Sequence, residues 1–331
     1  MRGRRFIAFA VSAVLAAGAT AIALAQTPPA GRASPAPGPP FPPPPPPVVA
    51  GAHWHHIELN ATDPARDIEF YTTHFLAREA TFDGRPAVWT QKSWMLFHKV
   101  RTPPPHKLVT AIWHFGWGAE NAPAEYKRQQ ALGATFFTEL TDISDIGGRQ
   151  GPPGSFWYMY VEGPDRALIE LNTASHHHFG HLHMFSADPV AAGDWYIRMF
   201  GVRGRYQGPN APRTVRMYRG SQIGPSASIY FDNVNMIIYP IEYSKTNYAA
   251  DWKGVSEIQS TRGTITDHIG VSVPSLADAL TRLRAEGVKV TEPAKTGPGG
   301  KYRYAFIEGP DRMAIELIED HSSHPPPEDK D

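Results

Sequence analysis

The sequence predicts an α+β fold of four similar units, each a strand, a helix and two or three further strands, and three recurrences carry that prediction. The decapeptide Glu162-Gly-Pro-Asp-Arg-Ala-Leu-Ile-Glu-Leu171 returns as Glu308-Gly-Pro-Asp-Arg-Met-Ala-Ile-Glu-Leu317, identical at eight of ten positions. In each copy Gly-Pro-Asp-Arg has the composition of a tight turn, and the residues after it alternate apolar side chains around a carboxylate, as a strand does. His56 lies seven residues before Asp63-Pro64, and His181 lies seven before Asp188-Pro189. The histidines of His114-Phe-Gly116 and His268-Ile-Gly270 each precede a glycine, Gly133 or Gly287, by 19 residues.

Taken from the N-terminus, residues 1–25 carry Arg2, Arg4 and Arg5, an apolar run and a small-x-small ending at Ala23-Leu24-Ala25, the pattern of a secretory signal peptide. Arg4-Arg5-Phe6-Ile7 hints at twin-arginine export. Uncleaved, the 20 residues from Phe6 to Ala25 would be a membrane anchor, the one route by which a membrane partner is expected. Residues 26–49 form a Pro-rich linker with an unbroken Pro42–Pro47 run, expected to be an extended spacer outside any core. The units start near Trp54, Thr110, His181 and Thr266 and pair in sequence order into domains of 50–175 and 179–320, followed by a disordered tail at 321–331. After Asp63-Pro64 and Asp188-Pro189 come helices at Ile68–Phe75 and Ala192–Phe200, with Asp as cap and Pro in the first turn. Leu276, Ala279, Leu280 and Leu283 have the spacing of a helix that ends before Gly287.

Composition narrows the function. Lys plus Arg equals Asp plus Glu at 32 each, so no field gathers polyanions, and a nucleic-acid partner is excluded from the expectations. Removing residues 1–25 leaves 29 basic against 32 acidic side chains. With no cysteine in the chain, disulfides, thiolate nucleophiles and cysteine-ligated metals are ruled out, and any metal must use His, Asp or Glu.

The histidines that open the units and the Gly-Pro-Asp-Arg…Ile-Glu-Leu ends resemble the vicinal oxygen chelate superfamily, which includes glyoxalases, bleomycin and fosfomycin resistance proteins and extradiol dioxygenases. The resemblance spans about 270 residues. It implies paired βαβββ modules that form two domains with cupped mixed sheets, and a metal on the first strands and a last strand of each cup. Applied residue by residue in sequence order, it places His56, His114 and Glu170 around a metal in the first domain and His181, His268 and Glu316 in the second. Glu58 and Asn60 follow His56 onto the same strand face, and His183 follows His181, so Glu58 and His183 are candidate catalytic groups. Where the superfamily's lyases carry a glutamate, at the end of the first unit, this chain has Trp94-Met95-Leu96-Phe97, and Val234–Tyr239 likewise lacks a carboxylate.

That leaves two histidines and one carboxylate per domain, similar to extradiol dioxygenases and fosfomycin-resistance enzymes. Tyr160 stands where those enzymes carry a tyrosine that touches metal-bound substrate; the second domain has Phe306 there, with Tyr302 and Tyr304 as fallback phenols. The acid–base histidine of the extradiol enzymes has no match, leaving His55 or His183 as substitutes. His176-His177-His178, His53, His321 and His324 are expected to act as linker or surface histidines first. The segment Pro240–Arg262 is expected to be a lid or a surface insertion. The expected cofactor is a divalent metal, Fe(II) ahead of Mn(II) or Zn(II), and the expected partner a small-molecule substrate, with a homodimer left open. The expected function is an exported, periplasmic or secreted ring-cleaving dioxygenase; a small-molecule-sequestering resistance protein and a metal-assisted lyase or epoxide-opening enzyme are the alternatives.

Overall fold

A computed structural model describes residues 41–146 and 151–320. The expected signal peptide, the linker up to Pro40 and the C-terminal tail with His321 and His324 lie outside the described residues. The first unit comprises β1 (His53–Ala61), α1 (Pro64–His74), β2 (Arg78–Phe82), β3 (Arg85–Trp89) and β4 (Trp94–Lys99). The second comprises β5 (Ile112–Ala119), α2 (Ala122–Ala131), β6 (Thr135–Asp142), β7 (Trp157–Glu162) and β8 (Leu168–Thr173). In the third, β9 (Phe179–Ser186) and α3 (Pro189–Phe200) lead through the short β10 (Arg203–Gly204), β11 (Arg216–Tyr218) and β12 (Ser221–Gly224) to β13 (Ala227–Phe231) and β14 (Val234–Pro240). A helix, α4 (Ile241–Asn247), precedes the fourth unit of β15 (Thr266–Ser272), α5 (Leu276–Ala285), β16 (Val290–Thr296), β17 (Tyr302–Glu308) and β18 (Ala314–Asp320).

Local chemistry accounts for the helix ends. Asp188 accepts a hydrogen bond from the Ala191 amide and caps α3, whereas Asp63 opens α1 without a side-chain cap. The helices α2 and α5 stop just before Gly133 and Gly287, both at positive φ. Leu276, Ala279, Leu280 and Leu283 are the buried stripe of α5, and each leucine removed from water contributes about 1.5–3 kcal/mol.

Each Gly-Pro-Asp-Arg turn joins two strands, β7 to β8 and β17 to β18, and holds its aspartate at positive φ, 50° for Asp165 and 56° for Asp311. The strained aspartates are used as staples between units: Asp165 accepts from the Thr62 amide at 2.7 Å and Asp311 from the Ala187 amide at 3.0 Å.

Two eight-stranded mixed sheets result, ordered β16-β17-β18-β15-β1-β4-β3-β2 and β10-β13-β14-β9-β5-β8-β7-β6. The expectation that units pair in sequence order, 50–175 against 179–320, is corrected here. Unit one shares its sheet with unit four through the antiparallel β1–β15 pair, and unit two shares its sheet with unit three through β5–β9. Residues from Phe41 onward accordingly form one compact unit. The physical reason is chain length: only residues 174–178 separate β8 from β9, and both strands flank β5, so unit three stays in the sheet of unit two. The longer stretches 100–111 and 241–265 carry the chain between the sheets.

On β1 the residues Ile57 and Leu59 face one way and His56, Glu58 and Asn60 the other, all of them buried. The apolar faces of both sheets join one core in which Ile57, Phe115, Leu182 and Ile269 meet Tyr71 of α1 and Tyr196 of α3. The opposite faces form two cups. The linker expectation is corrected at its end: Val48 and Val49 donate backbone hydrogen bonds to Arg198 and Met199 at 2.9 Å, and Val49 enters the core. The segment Pro240–Arg262 is a packed wall, neither a free insertion nor an open flap: Ile241 and Trp252 are buried, and Ser244 Oγ donates to the Leu108 carbonyl at 2.6 Å. Among the described residues no helix is long and apolar enough to cross a membrane.

The core also holds an uncompensated polar group. Asp67, in the first turn of α1, is 1% exposed and neither carboxylate oxygen has a hydrogen-bond partner. Burial, reinforced by the nearby Asp165 carboxylate, pushes its pKa up from 3.8 to about 7. The folded state therefore binds a proton that the unfolded chain has released between those values, so this group's contribution to stability is lost as pH rises from about 4 to about 7. Asp67→Asn should stabilise the protein at pH 7.5 by about 3 kcal/mol and flatten the dependence of unfolding temperature on pH across that window. Unfolding curves of both proteins from pH 4 to 8 test this; parallel curves would refute it.

Candidate metal centres in two cups

Each cup gathers four buried ionisable side chains. In the β1/β15 cup these are His56, Glu58, His268 and Glu316; in the β5/β9 cup they are His114, Glu170, His181 and His183, and within each group one ligand atom per residue lies within 4.8 Å of the others. All the metal-ligand candidates read from the sequence thus lie in cups, but two of them change partners. His56 stands with His268 and Glu316 rather than with His114 and Glu170, and His181 stands with His114 and Glu170 rather than with His268 and Glu316. The exchange follows from the strand pairing, since β1 runs beside β15 and β5 beside β9.

Register explains the His-x-Gly pairs. In the antiparallel ladders His56 faces Gly270 and Glu58 faces His268, while His181 faces Gly116 and His183 faces His114. A Cβ on Gly270 would stand 2.0 Å from His56 Nδ1, and one on Gly116 would stand 2.3 Å from His181 Nε2. The glycine is the space into which the opposing imidazole lies, so the two motifs, one with histidine and one with glycine, are halves of one device.

In the β1/β15 cup His56 Nε2 is 3.2 Å from His268 Nε2, and Glu316 Oε2 is 3.0 Å from His268 Nε2 and 3.6 Å from His56 Nε2. Burial lowers the His56 pKa to about 3. Burial also opposes charge on His268, but hydrogen bonds with Asp267 and Glu316 outweigh it and raise its pKa to about 10. Burial disfavours the Glu316 carboxylate too, yet the hydrogen bonds from His268 and His56 hold it well below the usual range. His268 thus lies between two carboxylates, with Asp267 at Nδ1 and Glu316 at Nε2. Glu58 answers the carboxylate missing from the Trp94–Phe97 strand: in the parallel β1–β4 pairing it stands beside Leu96, and its pKa is raised by burial.

In the β5/β9 cup His114 Nε2 lies 2.7 Å from Glu170 Oε2, His183 Nδ1 3.6 Å from the same oxygen and His181 Nε2 3.9 Å from Glu170 Oε1. His114 Nε2 and His181 Nε2 are buried without a hydrogen bond in acceptable geometry, which is the condition of donors awaiting an ion. Burial holds His114 and His183 well below the ordinary imidazole pKa and His181 at about 4, so all three rings are neutral near pH 7, as metal ligands must be. Asn172 Nδ2 donates to Glu170 Oε1 at 2.9 Å and fixes the carboxylate. Tyr160, across from Glu170 on the neighbouring strand, lies 4.8 Å from the His114 ring centroid, and burial together with the Glu170 charge keeps its phenol protonated. Phe306 is its counterpart, 4.8 Å from His268 and opposite Glu316. Among the described residues His176, His177 and His178 belong to neither four-donor group, and His55 lies behind His56 rather than in a cup.

The cavities differ in character. The β5/β9 cavity, about 530 Å³, is walled by Trp113, Tyr158, Tyr160, Tyr239 and Tyr243, with Arg216 and Tyr218 of β11 entering from above. The β1/β15 cavity, about 670 Å³, is lined by Arg85, His98, Arg262, Glu292, Tyr302 and Tyr304. The aromatic wall from Tyr239 to Tyr248 was not read from the sequence; the signal was the row of four tyrosines at 239, 243, 248 and 218 around an otherwise unexplained insertion.

The profile of the Glyoxalase/Bleomycin resistance protein/Dioxygenase superfamily matches residues 178–317. Glyoxalase I from Zea mays superposes over 81% of this chain and 92% of its own with a TM-score of 0.58 at 13% identity. Residues 178–317 thus match the superfamily by sequence, and the chain shares the fold of glyoxalase I. A presumptive dioxygenase from Bacillus subtilis superposes over 82% of this chain and 86% of its own with a TM-score of 0.53 at 12% identity, a likeness of fold. Lactoylglutathione lyase of Escherichia coli O157:H7 is 43% identical over 58 residues, 18% of this chain and 43% of that enzyme, so the match spans less than half the length of the curated relative.

The cup assignments are open to a stoichiometry test. If His56 and Glu170 shared one site, a His56→Ala/Glu170→Ala variant would lose one ion per chain; the geometry predicts that it loses two, whereas His181→Ala/Glu170→Ala loses only one. Metal content per folded chain decides between them.

Proposed function

We propose that this chain is an exported, metal-dependent enzyme of that superfamily whose working centre is the β5/β9 cup, and that it opens a small ring bearing two adjacent oxygens in the manner of extradiol dioxygenases. The observation that carries the reading is the combination, in that cup alone, of a nitrogen-rich donor set with aromatic walls and a protonated phenol against the donors. An Fe(II) ion held by His114, Glu170 and His181 would supply chelation of both substrate oxygens and an open position for dioxygen.

The chain's own residues do the rest. Trp113, Tyr239 and Tyr243 pack against one another, with the tyrosine ring centroids 5.5 and 4.7 Å from that of Trp113, and give the cavity an aromatic wall against which a substrate ring can rest. Tyr160 donates a hydrogen bond to a substrate oxygen as it gains negative charge. His183, with its ring centroid 4.6 Å from that of His114, supplies the acid–base group that the sequence lacks upstream of Glu170. The leader read at residues 1–25 supports a periplasmic or secreted mature protein, and purified mature protein should begin at Gln26.

A second reading has its own support: the two histidines and two carboxylates of the β1/β15 cup, and separately the 58-residue identity to lactoylglutathione lyase, favour lyase-type chemistry. Oxygen uptake separates the two. With Fe(II)-loaded protein and a panel of catechols, the first reading expects dioxygen consumption that is abolished in His114→Ala and Glu170→Ala and falls about 100-fold or more in kcat for Tyr160→Phe. No oxygen uptake, with turnover of a hemithioacetal instead, would establish the second; tight ligand binding without turnover of either would make the protein a sequestering one.

A further inference from the structure

We propose that the two cups are cation sites of different class, and that Asp267 makes the β1/β15 cup the tighter one by positioning His268. The inference rests on the reading that the cups hold divalent metal, and goes beyond it in ranking them.

Both imidazoles of the β1/β15 cup are braced from behind. His268 turns Nε2 inward to Glu316 and donates from Nδ1 to Asp267 Oδ1 at 2.7 Å. Asp267 is itself fixed by the Gly263 amide at 2.6 Å, by Asn60 Nδ2 at 3.0 Å and by the Arg262 guanidinium. Arg262 is held in turn by Glu292 at 2.7 Å and lies over the Phe306 ring at 4.0 Å. His56 turns Nε2 inward while its Nδ1 lies 2.8 Å from His55 Nδ1, and His55 Nε2 is 3.7 Å from Asp320 Oδ2. An acceptor behind a ligating histidine selects the tautomer that leaves Nε2 free for the ion, stops the ring from turning and raises its basicity.

The β5/β9 cup lacks the carboxylate brace. At the position of Asp267, immediately before the ligand histidine, stands Trp113; at the position of His55 stands Gly180, whose open space the ring of His176 occupies. His114 Nδ1 is buried without a hydrogen-bond partner. This cup also offers one carboxylate where the other offers two, and both donor charge and rigidity tighten the hold on a hard cation. A divalent ion in the β1/β15 cup is neutralised by its ligands and oriented, whereas one in the β5/β9 cup keeps a net positive charge and exchanges more readily. The first behaves as a resident ion; the second is the one left able to attract an anionic, oxygen-chelating ligand.

The test is competition of Zn(II) against a chromophoric chelator in the metal-free full mature chain, with Co(II) absorption as a second readout. Wild type should show two classes of site. Asp267→Asn, nearly isosteric, should weaken the tighter class by about 10–100-fold, shift its Co(II) spectrum and leave the weaker class unchanged. Arg262→Gln, which keeps the carboxylate but loosens its clamp, should weaken the same class by a smaller factor, and decides the matter should Asp267→Asn not fold. Two sites of equal affinity, or variants whose loss falls on the weaker class or on neither, would overturn the ranking while leaving metal binding intact. A wild-type chain that takes up no Zn(II) would overturn the metal reading itself.

Discussion

The arrangement of the whole molecule depends on one local constraint, the packing of an imidazole over a glycine across an antiparallel strand pair. His56 over Gly270 and His181 over Gly116 each require that a strand opening with histidine run beside a strand carrying His-x-Gly. A Cβ at either glycine would stand 2.0–2.3 Å from a ring atom, far inside van der Waals contact, so the glycine is what admits the ring in this register. The same register sets Glu58 beside His268 and His183 beside His114, which brings the donors together on the concave faces. Pairing, register and donor set are thus one decision, made at two equivalent places.

Why unit one meets unit four, and unit two meets unit three, is a matter of connection length. Both leading histidines stand opposite the same His-x-Gly motif, so the motif by itself does not choose between partners. The five residues between β8 and β9 choose for them, because so short a link cannot carry the chain out of the sheet it has just completed. The remaining pair then forms by exclusion, and the longer segments absorb the crossing. Of these, residues 241–265 take on further work: Tyr248 accepts from Trp113 Nε1 at 3.0 Å to wall the β5/β9 cup, and Arg262 reaches the opposite cup.

Much of this was legible in advance, for identifiable reasons. The four-unit plan, the helices after Asp63 and Asp188 with a side-chain cap at Asp188, the Gly-Pro-Asp-Arg turns and the donors themselves are local features, each set by residues close together in sequence. Partner choice between units is not local, and proximity in sequence favoured His56 with His114 where the sheet joins His56 to His268. The His-x-Gly motif was visible as a recurrence, but its meaning lies in the ring across the ladder, 65 residues away for Gly116 and His181 and 214 for Gly270 and His56. The fourth donor escaped for a related reason. A carboxylate was sought on the closing strand of the unit, at Trp94–Phe97, whereas Glu58 reaches the same point from the neighbouring strand beside Leu96.

That substitution of strands has a consequence for how the two cups diverged. Position 58 and position 183 are equivalent, two residues after the leading histidine on β1 and β9, and each lies beside an apolar residue, Leu96 or Ile237, on the next strand. A glutamate at one and a histidine at the other alter the charge of the donor set by one unit without disturbing the strand, because both side chains project from the same backbone position into the same buried space. The surroundings change in step. The cup with two carboxylates is lined by Arg85 and Arg262, whose charges would be costly to bury against an uncompensated cation. The cup with one carboxylate has aromatic walls, which leave a residual positive charge at the centre unopposed except by whatever ligand enters. One residue in each first strand and the lining around it are therefore mutually consistent choices, and duplication of the unit made it possible for one chain to hold both.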